Sequence, residues 1–169
     1  MLLALLTAAG GCTMYAQPST PIGDAAWRGD LSRIRELVRE GANINEPDAI
    51  GGSPLLVAAR GGHPLGFHRC GTEDADRPGV IAAMIEMGAD VNARDGRQRV
   101  PGGSSGWTPL VVALHHKQFK SAVVMLDHGA DPNVMSDQGM TAMDMAKVEG
   151  APAQLIELIK ARSANRAGR

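Results

Sequence analysis

Gly41-Ala42-Asn43-Ile44-Asn45, Gly88-Ala89-Asp90-Val91-Asn92 and Gly129-Ala130-Asp131-Pro132-Asn133 align without a gap, and their spacing decides the fold. They begin 47 and 41 residues apart, a 33-residue period lengthened once by 14 residues and once by 8. A second set sits upstream: Thr20-Pro21-Ile22, Ser53-Pro54-Leu55, Thr108-Pro109-Leu110 and the degenerate Thr141-Ala142-Met143. From Thr108 to Thr141 the interval is 33 with no insertion. Self-similarity at such a period is the signature of stacked supersecondary units.

Each unit has a physical reading. Thr or Ser followed by Pro predicts a helix N-cap with proline in the first turn, where its missing N–H leaves no bond unmade. Small residues follow (Ala25, Ala26, Ala58, Ala59, Ala113, Ala146), so this first helix can approach its neighbours closely. A second helix is predicted from apolar residues at helical spacing: Ile34, Leu37 and Val38; Ile81, Met84 and Ile85; Val123, Val124 and Leu126; Leu155, Ile156 and Ile159. Gly41, Gly88 and Gly129 should end these helices as left-handed caps. The Asn and Asp residues after them suit a tight turn into the next unit.

Composition narrows the function. The chain has 169 residues, enough for one sizeable core. Its 17 basic and 18 acidic residues leave no net positive field for nucleic acid. Hydrophobic residues at 44% argue against disorder, and aromatics at 3% make the place of each tryptophan informative.

The repeated pattern resembles the ankyrin repeat over residues 18–169. The resemblance implies an all-α solenoid of four helix-turn-helix repeats joined by hairpin loops, acting as a monomeric protein-binding module. Lys117 replaces the inter-helix glycine of the third repeat, and Ala142 replaces the last proline. The 14 extra residues fall at about 64–77, between the helices of the second repeat, and the eight at about 96–103, in the hairpin before the third. In such proteins the hairpin tips and the exposed face of the first helix contact partners. Transferred by alignment, those positions are Trp27, Arg28, Ile50, Arg60, Trp107, His115, His116, Met140 and Glu149, with both tryptophans on one surface. Insertions in repeat stacks map to loops, which adds Phe67, His68, Arg97 and Arg99. A basic tail (Lys160, Arg162, Arg166, Arg169) suits the end of a last helix.

The N-terminus suggests a compartment. Leu2 to Ala9 is an uncharged apolar run too short to span a bilayer as a helix. It ends in Ala9-Gly10-Gly11-Cys12, which resembles the cleavage and lipidation site of bacterial lipoproteins. That resemblance implies a signal peptide over 1–11, lipidation of Cys12, a tether over 12–17 and a periplasmic protein anchored in the outer membrane. Cys70 is then a lone thiol; without lipidation, a Cys12–Cys70 disulfide or a cytoplasmic location are the alternatives.

Catalytic and metal signals are weak. His63, His68 and Cys70 lack the fourth ligand and the spacing of a structural zinc site, and His115-His116 cannot aim both rings at one point on a helix. The match of Gly102-Gly103-Ser104-Ser105-Gly106 to G-x-S-x-G lies in a glycine-serine insertion and not between a strand and a helix. The expectation is therefore a binding protein, without cofactor, metal or enzymatic activity. Small exported ankyrin lipoproteins resemble immunity proteins that neutralise phospholipase toxins delivered by type VI secretion, the most concrete function implied. The alternatives are a periplasmic scaffold supporting catalase-based stress defence, and a haem or metal carrier using His63, His68 and Cys70.

Overall fold

The computed structural model describes residues 20–48, 51–60, 77–96 and 106–167. The expected signal peptide 1–11, Cys12, the tether 12–17, His63, Cys70 and all but Gly106 of the G-x-S-x-G match lie outside the described residues, as do Ile50, Phe67, His68, Arg97 and Arg99.

Eight helices run through the described residues: α1 (Pro21–Arg28), α2 (Leu31–Arg39), α3 (Pro54–Arg60), α4 (Pro78–Glu86), α5 (Pro109–His115), α6 (Phe119–Asp127), α7 (Ala142–Val148) and α8 (Ala153–Ala167). They form four pairs, and no strand occurs among the described residues. The first helices begin where the sequence sets their caps. The Thr20 hydroxyl accepts from the Gly23 N–H at 3.1 Å, and Ser53 and Thr108 do the same for Leu56 and Val111. At α7 the missing proline is offset by a reciprocal pair: Thr141 Oγ1 accepts from the Asp144 N–H, and Asp144 Oδ2 accepts from the Thr141 N–H.

The second helices end as predicted. Gly41, Gly88 and Gly129 have φ of +96°, +96° and +91°. The residue after each donates back into the helix, Ala42 to Leu37, Ala89 to Met84 and Ala130 to Met125, at 2.9–3.0 Å. This is the Schellman arrangement that satisfies otherwise orphaned carbonyls.

First helices stack in one row, α1 on α3 on α5 on α7, and second helices form another through α4, α6 and α8. The core lies between the rows, and all six alanines singled out above are buried in it. One register expectation fails. In α6 the fully buried stripe is Ala122, Met125 and Leu126, while Val123 and Val124 are half-buried. The buried residues stand at i, i+3 and i+4, the stripe that packing turns inward, and β-branched Val123 and Val124 lie on its flanks.

Both insertions fall where the period places them. Seventeen residues separate α3 from α4, against three between α5 and α6. The hairpin main chain pairs Asp48 with Gly52 and Ser136 with Met140, each enclosing three residues, but Asp95 with Trp107, enclosing eleven. The hairpins are linked to one another as well: the Gly96 N–H donates to the Gly51 carbonyl at 3.0 Å.

An asparagine ladder joins neighbouring units. Asn45 Nδ2 donates to the Gly88 carbonyl and Asn45 Oδ1 accepts from the Asp90 N–H at 2.8 Å. Asn92 repeats this with Gly129 and Asp131, and Asn133 Nδ2 donates to the Ser163 carbonyl in α8. The tight-turn reading of these asparagines is correct but incomplete, because they also hold the next unit.

The fourth repeat differs from the third on its outer side. Val111 and Leu114, both buried in α5, align with Asp144 and Lys147 of α7, both exposed. Polar residues thus stand where a fifth unit would dock.

Candidate functional site

Alignment by repeat puts Trp27, Arg60, His115 and Val148 at one position, the end of the first helix in repeats one to four. They share a register but not a role.

Trp27 and Arg60 are each only 6% exposed, so neither is the surface contact that alignment alone suggests. Beside Trp27, Arg77 at the start of α4 reaches over the α1–α2 turn, and its Nη1 donates to the Trp27 carbonyl at 2.7 Å. Gly29 permits this: it has φ +68°, and an added Cβ would lie 2.7 Å from the Arg77 side chain. Arg60 extends toward the second hairpin and pairs with Asp95 at 3.4 Å, with side chains 7% and 0% exposed. Its charge is neutralised inside the protein and stabilises the α3–hairpin junction. Two tryptophans on one open surface is therefore not what the fold presents.

The first-helix face is open around repeats three and four. Trp107 precedes the α5 cap, and its indole packs against the core while remaining half-exposed. Its ring meets the His115 ring edge-on, centroids 5.1 Å apart, and the His116 ring lies 5.2 Å beyond. His115 Nδ1 is 2.9 Å from Glu149 Oε1, the histidine side chain 43% exposed and the glutamate 17%. Four residues expected from the resemblance, Trp107, His115, His116 and Glu149, are thus brought together by α5 and the end of α7. Met140, on the hairpin before α7, is half-buried against the core and aligns with Trp107. Arg28 is exposed but lies apart on α1, ion-paired to Asp24 at 3.0 Å.

Sequence reasoning missed three residues here. Val148 is 72% exposed, one of two large exposed hydrophobics among the described residues, and adjoins Glu149. Its alignment with His115 was the available signal. Asp95 and Arg77 act across 35 and 50 residues, and no local pattern marks them. The His115–Glu149 pair spans 34 residues, one period plus one, so the repeat alignment placed both partners without showing that they meet.

Chemically the cluster can dock a partner: an indole, two imidazoles and a carboxylate, fixed on short helices by the core beneath. Among the described residues, no group of three or more His, Cys, Asp or Glu is arranged to hold a metal ion. No helix there is long and apolar enough to cross a membrane.

Comparison with known proteins agrees with this geometry. The family model for ankyrin repeats, three copies, matches residues 22–136. The putative E3 ubiquitin-protein ligase XBAT34 of Arabidopsis thaliana is 32% identical over 121 residues, which is 72% of this chain and 27% of that protein. The BTB/POZ domain and ankyrin repeat-containing protein NBCL of Lotus japonicus is 33% identical over 120 residues, 70% of this chain and 20% of its own. The ankyrin repeat protein nuc-2 of Neurospora crassa is 28% identical over 130 residues, 77% of this chain and 10% of its own. This chain spans about a quarter or less of these relatives, so their names describe much larger proteins. Four capped helix pairs, glycine stops, stacked hairpins and the match over 22–136 converge: the chain belongs to the ankyrin repeat family, whose stacks are protein-binding scaffolds.

Proposed function

We propose that this chain is an exported ankyrin module, lipid-anchored through Cys12, that binds and blocks a secreted toxin, a phospholipase effector being the class its resemblance favours. The observation that carries the binding part is the cluster of Trp107, His115, His116 and Glu149 on the first-helix face. Tryptophan is enriched at binding hot spots, and Trp107, partly exposed and seated on the core just before the α5 cap, has the form of an anchor. The leader Leu2–Ala9 and the Ala9-Gly10-Gly11-Cys12 sequence support export. Inhibition is steric in this reading: the face covers the mouth of the toxin's active site, and no chemistry is required of this chain.

The experiment is capture of partners by the tagged protein from an envelope extract, followed by co-expression with the recovered protein. A recovered lipase whose toxicity is relieved by this chain supports the reading. Recovery of catalase or its accessory proteins instead would make the chain a stress-defence scaffold. Trp107→Ala should weaken capture by about thirtyfold, the loss of a hot-spot side chain of about 2 kcal/mol. Unchanged capture would move the binding surface elsewhere. Labelling with a fatty-acid analogue that persists in Cys12→Ala would end the anchor proposal.

A further inference from the structure

We draw no further inference here: the strongest candidate, the surface patch of Trp107, His115, Glu149 and exposed Val148 on the first-helix face of the third and fourth repeats, carries nothing because no observation in the structure shows what covers it.

Discussion

Lys117 is the only described residue other than glycine with positive φ, at +57°, and it sits where the other described inter-helix turns carry Gly29 and Gly150, both at +68°. A side chain in that region costs about 1–2 kcal/mol, while glycine loses about 0.4–1 kcal/mol more chain entropy on folding. Lys117→Gly should therefore stabilise the protein by about 0.5 kcal/mol, read as a higher urea midpoint at unchanged slope. Asp144 carries a second prediction. Hydrogen bonds from the Thr141 hydroxyl and N–H hold its carboxyl below the ordinary 3.8. A carboxyl depressed in the folded state stabilises above its unfolded value and loses that contribution as pH falls through the folded one. Asp144→Asn should thus lower stability at neutral pH, by only a fraction of a capping interaction because the exposed carboxylate is screened by solvent, and the gap to the parent should close as pH falls below the ordinary carboxylate value. Paired denaturant melts at neutral and at acidic pH check the sign. Lys117 was legible because its chemistry is local: it stands where the repeat carries an inter-helix glycine. Trp27 and Arg60 were misread because what encloses them arrives from distant positions, such as Arg77 and Asp95.

At the scale of elements, helix starts and stops could be read almost to the residue, since Thr-Pro and Gly-Ala act within one turn. The register of α6 could not, because its run Ala122-Val123-Val124-Met125-Leu126 is apolar throughout and only packing chooses the inward stripe. Nor was the second use of the asparagines visible, since a turn residue and an inter-repeat tie look alike in sequence. Asn92→Ala removes a bond donated to Gly129 and one accepted from Asp131 at 2.7 Å, and should cost about 1–2 kcal/mol. Hydrogen exchange should quicken at Ala130 and Asp131; protection unchanged there would mean the ladder contributes nothing. Arg60→Ala is a different experiment from the binding test that its aligned position suggests. It removes the Arg60 guanidinium from buried Asp95, and breaking a buried pair in this way costs about 3 kcal/mol. Loss of partner capture in that variant would report unfolding, which a thermal melt would reveal, so Trp107→Ala is the sound probe of the face.

For the whole molecule, stability is a sum over neighbouring units, and a repeat stack can in principle grow without limit. The exposed Asp144 and Lys147 stand at the positions of buried Val111 and Leu114 and oppose such growth. Their charges make the open end of the first-helix row hydrated and unreceptive. Replacing both with the residues of the preceding unit, Asp144→Val with Lys147→Leu, would expose a face shaped to receive another apolar helix. A surface that seeks a partner unlike itself joins molecules head to tail, and such contacts do not close. The double variant should therefore show concentration-dependent association by light scattering, and a monodisperse monomer would show that termination lies elsewhere. On this reading, two charged side chains keep one end of the first-helix row from serving as the sticky end of a fibre.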